Sequence, residues 1–345
     1  MQRILNVALV GYGFVGKVFH APLIAHTPGL RLHSVVSSDA GKVHADHADV
    51  RVVGDAEVAF ADPDIDLVVI AAPNTAHAPL AKAALVQGKH VVVDKPFTVT
   101  LEEAQQVVAQ ATRAQRIVSV FQNRRWDTDF LTVQKILAQN ALGDVAEFHS
   151  HFDRYRPVIA DRWRERDQPG SGVWYDLGPH LLDQALQLFG MPEAINADIA
   201  LQRDGAQTAD YFHVLLRYPK LRVVLHAGAL VAAHGLRLAV HGTRGSYLKH
   251  GMDPQEDALR DGQTPGKADW GKDPRPGTLY SGTEADVVES VPGDYLRYYS
   301  LMRDAVVLGD APPVTMTQAL QVMSMLEWGI RSSDERREIA CPPIS

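Results

Sequence analysis

The chain has 345 residues, of which 46% are hydrophobic and 22% charged, and its formal net charge is −7. This length predicts two domains, and the acidic balance argues against nucleic-acid binding. No apolar run approaches the ~20 residues of a membrane span, and the single cysteine, Cys341, excludes an internal disulfide and a cysteine-based zinc site.

The first predicted strand is an apolar run over residues 4–10, which ends abruptly at three spaced glycines, Gly11, Gly13 and Gly16. In a dinucleotide fingerprint these glycines allow the tight turn, the approach of a pyrophosphate and the close packing of the next helix. That helix begins near Val15, where its free N–H groups and dipole favour phosphate. A second apolar strand over residues 30–37 follows at the right distance, so we interpret the turn as a dinucleotide site.

The early start of this strand leaves no room for a signal peptide. We therefore expect a cytoplasmic enzyme with a small-molecule substrate and no membrane partner.

The end of the second strand bears on cofactor choice. A fold specific for NAD usually places an acid there to bind the ribose 2′-hydroxyl. Ser38 stands at the expected position, after Ser37, and Asp39 follows. A serine tolerates a 2′-phosphate, whereas Asp39 would repel one unless its side chain turns away, so NAD and NADP both stay open, with NADP favoured.

Polar residues follow two further apolar strands, over 65–72 and 90–93. Pro73, Asn74 and His77 come after the first strand, and Asp94 and Lys95 after the second. Ligands bind at the carboxyl ends of such strands. Asn74 or Thr75 could equally cap a helix, and Lys95 could be a surface residue, but its position favours a catalytic cation.

The remaining elements of the first half complete a strand–helix alternation that predicts a doubly wound parallel sheet in a domain of residues 1–123. They are a strand at 50–53, helices at 55–61, 79–87 and 101–113, and a strand at 117–121, with Gly88 as the C-cap of the 79–87 helix.

The second half changes to consecutive strands, which predict an α+β domain of residues 124–345 with a large, mostly antiparallel, open sheet. Its predicted strands are 145–155, 194–201, 211–217, 222–230, 236–241 and 246–249, and its helices are 127–138, capped by Gly143, then 294–307 and 315–331. Residues 249–293 are polar and rich in Gly, Pro and Asp, and we interpret them as an interface or lid loop.

One helix in this half, over residues 173–190, carries Asp176 and His180 four positions apart, on a single face. Gly178 and Pro179 are poor helix formers, and their stability cost suggests a site. Histidine suits proton transfer near neutral pH, although a histidine on a helix is usually structural. A metal site is disfavoured because no third ligand is clustered nearby.

Together these motifs resemble the Gfo/Idh/MocA oxidoreductases, and within them the NADP-dependent scyllo-inositol dehydrogenase branch. The resemblance rests on the glycine fingerprint, on Asp94-Lys95-Pro96 and on the Asp176–His180 helix. The matching stretches span almost the whole chain; they are residues 11–20, 123–127, 154–157, 162–164, 174–177, 210–213 and 255–260.

The resemblance implies an NAD(P)-dependent dehydrogenase acting on a secondary alcohol or ketone of a cyclitol or sugar. Lys95 would bind the reacting oxygen, His180 would carry the proton and Asp176 would bind substrate. The substrate contacts would be Lys95, Arg124, Tyr155, Asp176 and His180. The cofactor contacts would be Gly11, Gly13, Phe14, Val15, Gly16, Ser37, Ser38, Pro73, Asn74, His77, Asp94, Lys95, Asn123, Trp163 and Arg164.

Two residues depart from the family pattern. Asp94 replaces the commoner glutamate, and Asp39 stands where NADP-using relatives often have arginine. A homo-oligomer, a dimer or a tetramer, is implied by the resemblance only. A non-catalytic dinucleotide sensor on the same scaffold is the alternative function, and reduction of an imine or unsaturated substrate is a third; the sequence does not choose the sugar.

Overall fold

The computed structural model describes residues 3–233 and 235–344. The chain divides into two compact units, and each is described here by itself. The first contains the chain up to Asn123, together with Gln255–Trp270 and Asp294–Leu320; the second contains Arg124–Pro254, Gly271–Gly293 and the chain from Gln321 onward. The change of unit after Asn123 lies where the sequence predicts a domain boundary, but two later segments of the first unit fall inside the predicted 124–345 domain.

The strands, in chain order, are β1 Leu5–Val10, β2 Leu30–Val36, β3 Arg51–Val53, β4 Leu67–Ile70, β5 His90–Val93, β6 Val118–Val120, β7 Val145–His151, β8 Ala194–Ala200, β9 Tyr211–Arg217, β10 Arg222–Gly228, β11 Leu236–Gly242, β12 Ser246–His250, β13 Gly277–Ser281, β14 Glu284–Val288 and β15 Ile339–Ala340.

The helices, in chain order, are α1 Ala21–His26, α2 Ala40–Asp46, α3 Ala56–Ala61, α4 Asn74–Val86, α5 Leu101–Ala114, α6 Thr128–Ala138, α7 Gly172–Phe189, α8 Gln255–Arg260, α9 Leu296–Leu308 and α10 Met316–Glu335.

The first unit is built on a parallel sheet, six strands wide among the described residues, in the order β3-β2-β1-β4-β5-β6. Its central strands are apolar on both faces, and every residue of β4 is buried, as expected for a sheet covered by helices on both sides. The order reverses beside β1, so the carboxyl ends of β1 and β4 flank the switch point at which such folds bind ligands. The predicted doubly wound sheet is confirmed.

The segment from Asp294 belongs to the first unit because aromatic side chains of α9 complete its core. Tyr298 and Tyr299 are fully buried. The ring of Tyr298 lies 4.9 Å from that of Phe121, which in turn lies 4.4 Å from the ring of His20. Large aromatic side chains gain a great deal from burial, and this gain explains why a sequence-distant helix joins the parallel sheet.

The second unit is built on a sheet of nine strands among the described residues, in the order β14-β13-β12-β11-β7-β10-β9-β8-β15. β7 and β10 pair in parallel and the other pairs are antiparallel, so the predicted mostly antiparallel sheet is confirmed. β15, a two-residue strand on its edge, was not predicted; two residues are too few to show an alternating pattern.

Residues 249–293 do not form the single predicted loop. They contain α8 and the hairpin β13–β14, which extends the large sheet. The side chain of Lys249 is completely buried and its Nζ lies 2.7 Å from Oδ2 of Asp273. The ion pair of Lys249 with Asp273 and the pairing of β12 with β13 order this polar stretch. The composition of the stretch predicts neither feature.

Two predicted helix caps are also wrong. α6 ends at Ala138 with Gln139 as its C-cap, and Gly143 takes its positive φ in the turn before β7 instead. α4 begins five residues earlier than predicted, with Pro73 as N-cap and no side-chain capping bond from Asn74 or Thr75. Proline suits the start of a helix because its φ is already fixed and it has no N–H to satisfy.

Trp174 of α7 forms the centre of the second unit's helical layer. Its ring is buried, and its Nε1 donates to the carbonyl of Leu326 in α10 at 3.1 Å. A Cβ at Gly178 would lie 2.8 Å from this ring, and one at Gly329 would lie 2.5 Å from it. Close packing against Trp174 is therefore a structural reason for a glycine at position 178. The glycine by itself does not indicate a functional site.

None of the helices in the described part of the chain is long and apolar enough to cross a membrane.

Candidate active site

The glycine turn after β1 is shaped by the fold at two of its three glycines. Gly11 has a φ of +98°, and a Cβ there would lie 2.5 Å from the carbonyl oxygen of Ala71. A Cβ at Gly16 would overlap the carbonyl oxygen of Gly11. At Gly13 a Cβ would meet nothing within 4 Å. The fold thus requires Gly11 and Gly16, whereas open space lies above Gly13, as the approach of a pyrophosphate demands.

The helix after this turn begins as a π-helical segment over Gly16–His20 that runs into α1. Phe14 is exposed and Val15 is half-buried at its start. Arg260 of α8 covers the Phe14 ring, with Cζ 5.1 Å from the ring centre. π-helical turns often occur at functional sites, and here one widens the start of the helix at the predicted phosphate position.

The end of β2 shows how Asp39 is used. Its carboxylate caps α2 by accepting a hydrogen bond from the backbone N–H of Lys42 at 2.9 Å. Ser37 Oγ accepts from the backbone N–H of Asp39 at 3.1 Å, and Ser38 is exposed. The Asp39 carboxylate therefore points into its own helix terminus.

The turn after β4 is tied to the turn after β5 by His77. Its buried ring places Nε2 2.9 Å from the carbonyl of Ala72 and Nδ1 2.8 Å from that of Pro96. A neutral imidazole donates to one of these carbonyls, and an imidazolium to both. His77, predicted as a cofactor contact, thus holds the turn that contains Ala72 and Pro73 to the turn that contains Lys95 and Pro96.

Asp94 and Lys95 directly follow β5, at the same edge of the sheet as the glycine turn. Asp94 is buried, and Nε2 of His20 faces its Oδ1 at 3.7 Å. With the proton on Nε2, His20 Nδ1 accepts a hydrogen bond from the Tyr299 hydroxyl at 2.5 Å. Burial alone would raise the pKa of Asp94, but His20 and the charge of Lys95 hold it below its ordinary value.

Asp94 is therefore a buried carboxylate beside the half-buried Lys95. Sequence reasoning missed both supporting residues. The only signal for His20 was its place at the end of the glycine fingerprint, and Tyr299 had none. Asn123, the last predicted cofactor contact of the first unit, is buried just past β6.

In the second unit, α7 presents Asp176, His180 and Asp183 at intervals of four and three residues, so all three lie along one side of the helix. His180 is 5% exposed. Asp183 binds the Arg125 guanidinium through two hydrogen bonds of 2.7 and 2.8 Å. This bidentate pair fixes the middle of α7 and so the backbone that carries His180.

Asp176 is half-buried and lies among arginines. Its Oδ1 is 3.4 Å from Nε of Arg164, and its Oδ2 is 3.9 Å from a terminal nitrogen of Arg154. Arg164 stacks over the ring of Trp163, with Cζ 4.5 Å from the ring centre. The structure therefore brings Asp176, Trp163 and Arg164 together, and their roles as substrate and cofactor contacts stay predictions.

Two other predicted substrate contacts lie in different surroundings. Arg124 is buried, with its guanidinium 3.1 Å from the Asp127 carboxylate and stacked over Phe152. Tyr155 is 56% exposed. No contact of either residue tests whether it touches substrate, and both roles stay predictions.

One group of potential metal ligands is found among the described residues. His151, Asp153 and His226 offer ligand atoms within 4.8 Å of one another. The two imidazoles flank the Asp153 carboxylate at 3.4 and 3.3 Å. The group includes neither Asp176 nor His180, and the prediction of a metal-independent reaction stays a prediction.

Comparison with known proteins identifies both halves of the chain. The model of an oxidoreductase family's NAD-binding Rossmann fold matches residues 5–122, and that of the C-terminal alpha/beta domain of the same family matches residues 134–341. These matches confirm the predicted pairing of a Rossmann domain with a second α/β domain.

Individual relatives match over nearly the full length. The uncharacterized oxidoreductase YdgJ of Escherichia coli is 53% identical, with 97% of this chain and 98% of YdgJ covered. The scyllo-inositol 2-dehydrogenase (NADP(+)) IolW of Bacillus subtilis is 39% identical, with 97% and 95% covered. The solved structure of the YPO2259 putative oxidoreductase from Yersinia pestis is 51% identical and superposes with a TM-score of 0.95, covering 100% of this chain and 99% of that one.

Proposed function

Because this chain belongs to the Gfo/Idh/MocA oxidoreductase family, we propose that it is an NAD(P)-dependent dehydrogenase acting on a CH–OH group of a cyclitol or sugar. The family assignment itself agrees with the motifs read from the sequence. The similarity to IolW supports a cyclitol as the substrate. A cytoplasmic location and a homo-oligomeric state, a dimer or a tetramer, are part of the same proposal.

The observation that carries this proposal is the position of Lys95. It directly follows β5, at the sheet edge that also holds the glycine turn. Nε2 of His20 faces the carboxylate of the neighbouring Asp94 at 3.7 Å, and His77 ties the following residue, Pro96, to Ala72. A cation at the ligand end of a dinucleotide fold suits an oxygen that gains negative charge.

The proposed reaction divides the work among three side chains. When bound, the nicotinamide ring supplies the acceptor for the hydride that leaves the substrate carbon. His180 takes the proton of the substrate hydroxyl, Lys95 stabilises the charge that develops on that oxygen, and Asp176 accepts a hydrogen bond from a further hydroxyl and orients the ring. In reduction His180 returns the proton to the carbonyl oxygen.

NADP is the cofactor that we propose as used at least as well as NAD. Ser38 brings no carboxylate to the end of β2, and the Asp39 carboxylate is occupied as the cap of α2. The glycine turn fits either dinucleotide. The side chain of Asp39 is exposed and can rotate. The proposed use of NADP therefore requires that the Asp39 carboxylate still caps α2 when the cofactor is bound.

The alternative is a dinucleotide sensor without catalysis, which would need the glycine turn but not Lys95, Asp176 and His180 together. Reduction of an imine or unsaturated substrate would also keep the cofactor site without needing a histidine base. Both alternatives make predictions different from those of the dehydrogenase. A sensor binds NADP(H) and turns over no alcohol, and an imine reductase turns over an imine without His180.

A substrate panel tests the proposal. Inositols and aldoses, and the corresponding ketones, are supplied with NAD(H) or NADP(H), and reduced nicotinamide is followed by its absorbance. We expect turnover of at least one cyclitol or sugar, and its loss in His180→Ala with cofactor affinity retained. Tight cofactor binding without turnover of any alcohol or ketone in the panel would establish the sensor instead.

A further inference from the structure

We propose that the natural substrate carries an anionic group, a carboxylate or a phosphate, which an arginine cluster of the second unit binds. The cluster consists of Arg154, Arg156, Arg162, Arg164 and Arg203. The inference rests on the proposed function, because it places this anion in the substrate site of the dehydrogenase. It changes the substrate class from a neutral polyol to a sugar acid or sugar phosphate.

The five arginines line one cavity, together with Asp176 of α7. Asp176 is the residue proposed to bind substrate, one helical turn before His180. The cavity is thus lined in part by a residue that is proposed to bind substrate.

Backbone pairing explains why two of these arginines lie side by side. The N–H of Arg154 donates to the carbonyl of Gly228 at 2.9 Å, and that of Arg156 to the carbonyl of Ala229 at 2.7 Å. Alternate residues of an extended segment point to the same side. Arg154 and Arg156 therefore both line the cavity, while Tyr155 between them is exposed.

Two of the arginines are neutralised within the protein. Arg203 contacts Asp210 at 2.8 Å and Glu165 at 2.5 Å, and Arg162 contacts the same Glu165 at 2.6 Å. Burial would raise the pKa of Glu165, but its hydrogen bonds with Arg162 and Arg203 lower it, so the carboxylate stays ionised. These four side chains form a balanced group that supports the wall of the cavity.

Two of the other three arginines, Arg154 and Arg164, face the same carboxylate, that of Asp176. Arg164 and Arg154 approach it at 3.4 and 3.9 Å, beyond the 2.7–2.9 Å typical of a charge-assisted hydrogen bond. Both guanidinium planes are held by aromatic rings, Arg154 over Phe152 at 4.9 Å and Arg164 over Trp163 at 4.5 Å. Among the described lining residues, five guanidinium groups stand against three carboxylates.

This excess of positive charge is poorly matched to a neutral polyol. Hydroxyl groups are held well by carboxylates, amides and single cations, and they do not compensate charge. Carboxylate and phosphate groups accept paired hydrogen bonds from guanidinium forks, and stacking keeps these forks oriented. The hydride then leaves a different carbon of the same molecule and the proton leaves the hydroxyl oxygen on that carbon, so the chemistry assigned to Lys95 and His180 is unchanged.

The test compares charged and neutral substrates of matched skeleton. With saturating cofactor, kcat/KM is measured for glucose, gluconate, glucuronate and glucose 6-phosphate, and for myo-inositol and myo-inositol 1-phosphate. We expect the anionic member of at least one set to be preferred about tenfold or more. Comparison of the sugar acids with the sugar phosphates identifies which anion is bound.

Arg154→Gln and Arg156→Gln should each reduce this preference about tenfold, by raising KM for the anionic substrate, with the Kd of NADP(H) unchanged. Arg166→Gln is the matched control, since Arg166 belongs to the same segment, is exposed and pairs with Asp161 outside the cavity. The Tm of each variant establishes that it is folded.

Three results would overturn the inference. Better turnover of neutral inositols than of every anionic compound would overturn it and leave the dehydrogenase standing. An effect of the arginine variants on the Kd of NADP(H), rather than on KM, would assign the cluster to the cofactor. If no compound of either class is turned over, the proposed function fails. Calorimetric titration of gluconate and glucose 6-phosphate then tests the anion site separately. The anion site is overturned if the parent binds neither compound, or if Arg156→Gln binds them as tightly as the parent.

Discussion

A Cβ on residue 16 would overlap the carbonyl oxygen of Gly11, whereas a Cβ on residue 13 would meet nothing. The three glycines of one motif thus have two different physical causes. Gly16 is required because the first helix passes directly over the strand end. Gly13 is not required by any contact within the protein, and the remaining reason for a glycine is a ligand that lies against the backbone.

Gly13→Val is expected to abolish NAD(P)H binding while the protein stays as stable as the parent, within about 0.5 kcal/mol. Gly16→Ala is the contrasting variant and should lose at least ~1–3 kcal/mol of stability by overpacking. Calorimetric cofactor titration and chemical denaturation measure the two effects. Unchanged cofactor affinity in folded Gly13→Val would show that the dinucleotide binds elsewhere.

Asp39→Arg is expected to shift the cofactor preference further toward NADP, about tenfold or more, because a guanidinium would pair with the 2′-phosphate. The substitution also removes the cap of α2, so Asp39→Ser is the control. Serine keeps a capping oxygen without the charge. The ratio of kcat/KM with NADP to that with NAD is measured for all three proteins, and a parent with strong NAD preference that Asp39→Arg does not alter would contradict this prediction.

His180→Ala and Lys95→Ala should reduce kcat roughly 10²–10⁴-fold and ~10²–10³-fold, respectively, with cofactor affinity within a few-fold of the parent. The losses should be less than additive in the double variant, because both side chains serve one transition state. Lys82→Ala is the control, because Lys82 is a half-buried lysine of α4 whose Nζ donates to Gln106.

The pH profile provides an independent readout of the same assignment. In the oxidation direction the parent's kcat/KM should fall at acidic pH, because a protonated imidazole cannot accept the hydroxyl proton. If His180→Ala kept near-parental kcat and the same profile on the true substrate, another group would have to carry the proton.

Lys249→Met should destabilise the second unit by about 3–5 kcal/mol, because it leaves the Asp273 carboxylate buried without its main partner. Lys267→Met, at an exposed lysine, is the control and should be near neutral. The free energy of unfolding of both variants and of the parent is measured with denaturant. Equal stability of both would mean that the pair contributes nothing.

The same ion pair predicts a pH dependence. Burial raises the pKa of Asp273, but hydrogen bonds from Lys249 and Arg275 outweigh burial and hold the pKa below its ordinary value. A carboxylate with a lowered folded-state pKa stabilises the protein above its unfolded pKa of ~3.9, and this stabilisation is lost as the pH falls through the folded-state pKa. The free energy of unfolding of the parent should therefore fall as the pH is lowered through this range. The fall should be smaller in Lys249→Met.

Local patterns in the sequence determined most of the architecture. Continuous apolar runs predicted the buried parallel strands, and the glycine spacing predicted the turn after β1. The alternation of strands and helices predicted the doubly wound sheet. These features depend on neighbours a few residues apart, so they are legible without a structure. The same holds for Asp176 and His180, whose four-residue spacing fixes a shared helix face.

The tertiary structure alone decided what depends on distant residues. The Tyr299 hydroxyl binds His20, which faces Asp94, although Tyr299 lies far from both in the sequence. Lys249 forms an ion pair with Asp273. The ring of Trp174 leaves no space for a side chain at Gly178. The arginine cavity joins residues 154–164 to Arg203, whose guanidinium donates a hydrogen bond to the backbone carbonyl of Arg156. Burial and charge compensation act between side chains that the chain order separates, and no local pattern records which of them will meet.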